Sequence, residues 1–118
     1  MPNGVTRLPF SDAVRVGDTV YVSGRLGLDP ETGRRPDDPA DEARHLLDDV
    51  RNVLSACGLS MDDLVMVTIF AHGVEHFAAF NEVYVGYFDG PLPARAFIGA
   101  GPLLFGCRFE ITAIAAVP

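Results

Sequence analysis

The run LVMVTIFA, residues 64–71, decides the fold of this chain. It is apolar except for Thr68 and rich in β-branched side chains, which is typical of a strand buried within a sheet. A helical pattern lies on each side of it: apolar residues recur every three or four positions from Pro39 to Cys57 and again over residues 74–87. A buried strand flanked by two helices predicts a domain of the α+β class.

Three further segments have the composition of strands. Residues 14–22 predict two short strands around a Gly-Asp turn, closed by Ser23 and Gly24. Residues 95–100 predict a short strand, and residues 107–116 predict a longer one with alternating apolar side chains. The predicted order is ββαβαββ, with both helices on one face of the sheet. The other face carries enough apolar side chains to need a cover, which so short a chain obtains by binding copies of itself.

Length and composition limit the classes of function. With 118 residues, 48% of them hydrophobic, the chain is expected to form one domain, residues 1–118. Its net charge of −7 and its lack of lysine argue against nucleic acid as a partner, because an acidic surface repels phosphates. No apolar run is long enough to span a membrane and no signal peptide is recognised, so we expect a soluble cytoplasmic protein. Cys57 and Cys107 are expected to be buried, reduced thiols.

The strongest candidate for chemistry is Arg95, within the sequence PARAF of residues 93–97. A guanidinium stays charged in proteins and presents a planar set of donors that fits a carboxylate or a phosphate. Over residues 88–106 the only other charged residue is Asp89, so a buried Arg95 needs an anion to meet it. Two interpretations stay open: a structural ion pair with Glu110 or Asp89, or a ligand grip by Arg95 with Glu110 acting on water or a proton.

Other polar residues have simpler explanations. His72 and His76 lack a carboxylate companion at metal-ligand spacing, so no metal site is expected. Ser23 has no base visibly placed to activate it, and a hydrogen-bonding role is preferred to that of a nucleophile. Asn81 lies beside the apolar stripe of the second helix, where it is either a surface residue or a buried structural one. The acidic residues among 37–42 are expected to form a solvated helix start.

Six short motifs resemble those of the YjgF/RidA (Rid) family of enamine and imine deaminases. They are PFSDAV at residues 9–14, SGR at 23–25, DPETG at 29–33, FAAFNEVY at 77–84, PAR at 93–95 and FEITAIA at 109–115. Each motif is weak alone, whereas six in the correct order are specific. The resemblance runs through nearly the whole chain.

The resemblance implies a YjgF-like, chorismate-mutase-like mixed sheet, assembled as a homotrimer with pockets between subunits. It also implies hydrolysis of 2-imino acids or their enamine tautomers to 2-keto acids and ammonia, with no cofactor and no metal. Arg95 would bind the carboxylate of a small-molecule substrate, and Glu110 would orient or deprotonate the water. The other residues of the implied pocket would contact substrate. They are Phe10, Ser23, Gly24, Arg25, Asn81 and Phe97.

Four positions, in or directly after three motifs, depart from the family pattern. The deaminase subgroup often has tyrosine at the position of Phe10, glutamine at that of Arg25, and a small polar pair at those of Ala96 and Phe97. Phe97 is expected to narrow the pocket or to favour a bulkier, more apolar substrate. The leading hypothesis is an imine deaminase. The alternatives are a non-catalytic protein that senses small carboxylates through Arg95 and, least favoured by the acidic composition, a ribonuclease.

Overall fold

The structure, a computed structural model, describes residues 8–118 as a five-stranded mixed sheet with two helices packed on one face. The strands are β1 (Ala13–Val16), β2 (Thr19–Leu26), β3 (Leu64–His72), β4 (Ala94–Ala100) and β5 (Phe109–Ala116). The helices are α1 (Pro39–Ala56) and α2 (Phe77–Val85). The predicted order ββαβαββ and the α+β class are confirmed. The first seven residues of the predicted domain lie outside the described residues.

The last strand of the chain occupies the middle of the sheet, whose order is β1-β2-β5-β3-β4. β5 pairs antiparallel with both β2 and β3, and β3 pairs parallel with β4. α2 makes the crossover between the two parallel strands. The alternation predicted for β5 is present, because every second side chain from Phe109 to Ala115 is buried against the helices. This register therefore decides which residues of β5 face away from the helices.

The helix α1 begins and ends where the sequence predicts. The Asp38 side chain accepts a hydrogen bond from the Ala40 amide at 3.1 Å, which caps the first turn. Gly58 follows the helix with φ at 76°, a conformation that favours glycine. The side of α1 that faces the sheet is fully apolar after its first turn. Its buried residues there are Ala43, Leu46, Leu47, Val50, Val53 and Leu54.

Three local predictions are wrong. β2 does not end at Ser23 and Gly24 but passes through a bulge there and continues to Leu26. Val74 precedes α2 and is exposed, because the chain turns at this point before the helix starts. Cys57 is exposed, since the buried stripe of α1 ends before the helix does.

The largest correction concerns Glu42, which was expected in solvent and is completely buried. Its carboxylate accepts hydrogen bonds from the backbone amides of Arg108 and Phe109, at 2.8 and 3.1 Å, and from the Arg108 guanidinium at 2.8 Å. Arg108 also donates to the carbonyls of Pro36 and Asp37. The start of α1 is thereby fastened to the start of β5, by a partner too distant in sequence for a local pattern to reveal.

The second face of the sheet carries the uncovered apolar side chains that the sequence predicts. The register places Tyr21, Ile114 and Met66 in one row across three strands. Val14 of β1 extends the row and, like Tyr21, is about half exposed, at 50% and 49%. This surface, the open face, gives the sheet an apolar side with no helix over it.

Replacing Glu42 with alanine should lower the free energy of unfolding by about 3–5 kcal/mol, because the change leaves Arg108 without its counter-ion and two backbone amides without an acceptor. Urea unfolding measures the loss. The matched control is Glu82→Ala on the exposed side of α2, which should change stability by less than about 0.5 kcal/mol. Equal losses in the two variants would contradict this account of Glu42.

Candidate functional site

The residues predicted for the site fall into two groups in the structure. The arginine cluster lies where β4 passes beneath α2. It comprises Arg95 and Phe97 of β4. Asn81 belongs to it by position, because it lies on α2 one turn before Tyr84, whose ring contacts Arg95. The bulge cluster surrounds the bulge of β2 and the start of β5. It comprises Ser23, Gly24 and Glu110. Phe10 precedes Ser11, whose carbonyl accepts a hydrogen bond from the Ser23 hydroxyl. Arg25 follows the bulge, but its side chain lies on the helix face, level with Ile111 and bonded to Asp49 of α1.

Arg95 points toward the helices. The register pairs Arg95 with Val67 and Phe97 with Ile69, and both partners are buried beneath the helices. The guanidinium carbon of Arg95 lies 4.8 Å from the centroid of the Tyr84 ring. Among residues 8–118, no carboxylate forms an ion pair with it. Arg95 is therefore half-buried among aromatic rings, with its charge uncompensated by the described part of its own chain.

Glu110 projects from the opposite face of the sheet. It pairs with Phe70 of β3, whereas the residue of β5 level with Arg95 is Ala113. The two backbones are separated by β3, a lateral distance of about 10 Å, and the offset of three residues adds about 10 Å along the strands. A structural ion pair between Arg95 and Glu110 is therefore wrong for a single chain. Asp89 does not pair with Arg95 either.

The Glu110 carboxylate packs against the bulge of β2. A Cβ atom added to Gly24 would lie only 2.3 Å from Oε2 of Glu110, so a larger residue here would displace the carboxylate from this position. The Ser23 hydroxyl donates to the carbonyl of Ser11, and the Ser23 amide donates to the carbonyl of Asp12 at 3.0 Å. The bulge thus holds both the carboxylate and the segment that enters β1.

Arg25 already has carboxylate partners, in contrast to Arg95. Its guanidinium forms ion pairs with Asp49 of α1 at 2.5 Å and with Asp12 at 2.7 Å. The hydrogen bond to Asp49, followed by that to Asp12, outweighs burial and raises the pKa of Arg25 above its ordinary value. Arg25 therefore anchors the segment after Phe10, through Asp12. Phe10 itself is 52% exposed.

Two buried polar atoms of α2 have no hydrogen-bond partner among residues 8–118. They are Oδ1 of Asn81 and the hydroxyl of Tyr84, one helical turn apart. Burial raises the pKa of Tyr84 to about 12, although the positive charge of Arg95 opposes the shift. The sequence predicts Tyr84 only as part of an apolar stripe. Its position three residues after Asn81 was the one available sign of a polar role, because residues so spaced share a helix face.

The described chain, residues 8–118, contains no group of three or more His, Cys, Asp or Glu side chains placed to hold a metal ion. None of its helices is both long and apolar enough to cross a membrane. Burial raises the pKa of the Cys107 thiol to about 11, which keeps this thiol protonated and unreactive at neutral pH.

The mixed sheet with two helices on one face defines a class of small α+β proteins to which known relatives can be compared. Residues 3–117 match the family described as Endoribonuclease L-PSP. The chain is 40% identical over 108 residues to the 2-iminobutanoate/2-iminopropanoate deaminase of Mus musculus. The aligned region covers 91% of this chain and 80% of the mouse protein. The chain belongs to this family, also called YjgF/RidA, as its motifs predict.

Solved structures agree with this assignment. RidA from Psychrobacter sp. PAMC 21119 superposes with a TM-score of 0.88 and 34% identity, over 96% of this chain and 92% of RidA. Escherichia coli TdcF with bound serine superposes with a TM-score of 0.89 and 34% identity, over 96% of this chain and 91% of TdcF. The YjgF-like fold predicted from the resemblance is confirmed.

Buried Tyr84 and half-buried Tyr87 should make the protein less stable at alkaline pH. The pKa values of Tyr84 and Tyr87 are raised to about 12, mainly by burial, from an ordinary value of about 10. The folded chain therefore retains protons that the unfolded chain loses, so stability is complete below about pH 10 and falls as the pH rises toward 12. Urea unfolding at pH 8 to 11 measures this. In Tyr84→Phe/Tyr87→Phe the decline should be shallower, and an unchanged decline would contradict the assignment.

Proposed function

We propose that this protein hydrolyses 2-imino acids, or their enamine tautomers, to 2-keto acids and ammonia, without a metal or a cofactor. The observation that carries the proposal is Arg95, half-buried, unpaired within the described chain and placed in the PAR motif. The relatives named as deaminases support it. Nucleic acid is not proposed as a partner, because the net charge of −7 opposes it. The two free cysteines fit a reducing cytoplasm.

The proposed reaction needs only positioning and one proton carrier. Arg95 binds the substrate carboxylate through two parallel hydrogen bonds and so fixes the adjacent imine carbon. Glu110 accepts a proton as water adds to that carbon, and the electron pair of the C=N double bond moves to nitrogen. Glu110 returns this proton to the nitrogen, which gives a carbinolamine. It then takes the proton of the new hydroxyl and passes it to the nitrogen, so that the C–N bond breaks, ammonia leaves and the C=O bond forms. An enamine first takes a proton on carbon to become the imine.

We place this site between copies of the chain, in a homotrimer. Arg95 and Glu110 project from opposite faces of one sheet, so a second copy has to supply one of them. The open face supplies apolar surface for the association. The other proposed contacts to substrate come from the two clusters. Asn81 and Phe97, of the arginine cluster, flank the substrate carboxylate. The bulge cluster flanks the reacting carbon. Its proposed contributors are Phe10, Ser23 and Gly24, and Arg25 supports them by holding Asp12 of the segment that enters β1.

Phe97 gives the site its own preference within the family. Its ring is half-buried and packs on Phe77 with centroids 4.9 Å apart, beside the Arg95 guanidinium. A large apolar side chain at this point leaves less room near the carboxylate and offers contact to apolar groups. We therefore expect substrates with larger apolar side chains to compete well with the imine derived from alanine.

Arg95→Ala should lower kcat/KM for imine hydrolysis about 10²–10³-fold, because the carboxylate loses a desolvated bidentate partner. Glu110→Gln should lower kcat about 10²–10⁴-fold with a smaller effect on KM. The imines are made in situ from amino acids with an oxidase, and their decay is followed. Arg44→Ala, an exposed arginine of α1, is the matched control and should be unchanged.

Two outcomes would replace the proposal. If no imine decays faster with protein while a keto acid still raises the melting temperature through Arg95, the protein is a carboxylate sensor. If RNA is cleaved at low salt and imines are not hydrolysed, the ribonuclease alternative holds.

Mixing two inactive variants tests whether the site is shared between subunits. Arg95→Ala and Glu110→Gln, refolded together in equal amounts, should recover on the order of a quarter of wild-type activity, because that fraction of shared sites receives both intact side chains. Each variant refolded alone should stay inactive. Sedimentation should give three times the chain mass of 12.7 kDa. Monomers, or no recovery on mixing, would contradict a shared trimeric site.

A further inference from the structure

Three aromatic rings surround the Arg95 guanidinium. Its central carbon lies 4.8 Å from the ring centroid of Tyr84, 5.6 Å from that of Phe77 and 5.7 Å from that of Phe97. All three distances are within the range of cation–π attraction. These rings are called the aromatic seat here: Phe77 and Tyr84 lie two turns apart on α2, and Phe97 lies on β4 itself.

The aromatic seat is fixed to the hydrophobic core. Phe80 is completely buried and contacts the rings of both Tyr84 and Phe97, each with centroids 5.8 Å apart. The rings of Phe77 and Phe97 meet edge to face at 4.9 Å. Tyr84 is only 3% exposed and has a further neighbour, Phe88, at 4.9 Å. The rings that contact the guanidinium are therefore held by packing that exists before any ligand arrives.

Contact with aromatic rings affects a guanidinium differently from an ion pair with a carboxylate. A carboxylate partner occupies the N–H edge and cancels the charge, whereas a ring contacts the flat face and leaves the N–H donors free. Within residues 8–118, the Arg95 side chain donates no hydrogen bond and forms no ion pair. The arrangement holds the cation in place and keeps its donors available to an incoming anion.

We infer that Tyr84 and Phe77 are positioning residues. Their ring faces hold the Arg95 guanidinium in the orientation that binds the substrate carboxylate, a role that a structural carboxylate has in a buried ion pair. This inference rests on the proposed role of Arg95. It assigns the effect to the ring of Tyr84 and not to its hydroxyl, which is buried and has no partner among the described residues. With a pKa of about 12, that hydroxyl is also neutral wherever the enzyme would work.

The experiment compares ring, hydroxyl and packing at these positions. Tyr84→Phe keeps the ring, Tyr84→Leu removes it, and Phe77→Leu removes a ring that is 45% exposed and adds little to folding. Phe88→Leu is the matched control, because this ring contacts Tyr84 without being one of the rings around Arg95. The measurements are Kd for 2-oxobutanoate by calorimetry, and KM and kcat for imine hydrolysis.

We expect Tyr84→Leu to weaken 2-oxobutanoate binding about tenfold and Phe77→Leu about threefold, with kcat changed less than about twofold, since the seat acts on carboxylate binding throughout the reaction. Tyr84→Phe and Phe88→Leu should bind within about twofold of wild type. Weaker binding in Tyr84→Phe would overturn the inference, because the hydroxyl would then be the contributing group. Equal weakening by Phe88→Leu would overturn it in favour of packing alone.

Failure of this inference is distinguishable from failure of the proposed function. If Arg95→Ala leaves both 2-oxobutanoate binding and imine hydrolysis unchanged, Arg95 does not bind the carboxylate and the proposed function fails. If Arg95→Ala abolishes both while Phe77→Leu and a folded Tyr84→Leu behave as wild type, the function stands and the aromatic seat does not position the arginine. Should Tyr84→Leu fail to fold, Phe77→Leu decides alone.

Discussion

The buried carboxylate of Glu42 is the contact on which the arrangement of this structure depends. A buried ion pair adds little net stability, because the loss of hydration offsets the attraction. Glu42 does more than pair with Arg108: it accepts hydrogen bonds from the backbone amides of Arg108 and Phe109, where β5, the strand in the middle of the sheet, begins. A shift of β5 by one residue would exchange its two faces. By fixing where that strand begins, Glu42 keeps Phe109 in the core and Glu110 on the open face.

Local patterns in the sequence predicted most of the fold, and contacts between distant segments account for what they did not predict. The spacing of apolar residues gave α1, and the β-branched run gave β3, because each pattern is complete within one segment. Glu42 looked like any acidic residue in a first helical turn, since its partner Arg108 lies 66 positions away. The bulge in β2 was similarly hidden, because the Glu110 carboxylate that packs against Gly24 is distant from it in sequence.

The same division applies to the site. Motifs identified Arg95 and Glu110, yet the sequence alone did not reveal that they point in opposite directions, since this depends on the pairing of β4 with β3 and of β3 with β5. The contact of Tyr84 with Arg95 was not predictable from the sequence for another reason. An aromatic ring at helical spacing is equally suited to a core or to a cation, and only the position of Arg95 across the helix–sheet interface distinguishes the two.

The opposite orientation of Arg95 and Glu110 has a consequence for the protein in the cell. In the proposed trimer, a newly made chain that is still alone holds half of each of two sites and is inactive until it associates with its copies. Activity would therefore vary with concentration more steeply than in proportion, as association sets the number of completed centres. In the proposed trimer, a copy that assembles but lacks both side chains would inactivate two of the three sites, so a defective copy would lower activity by more than its own share.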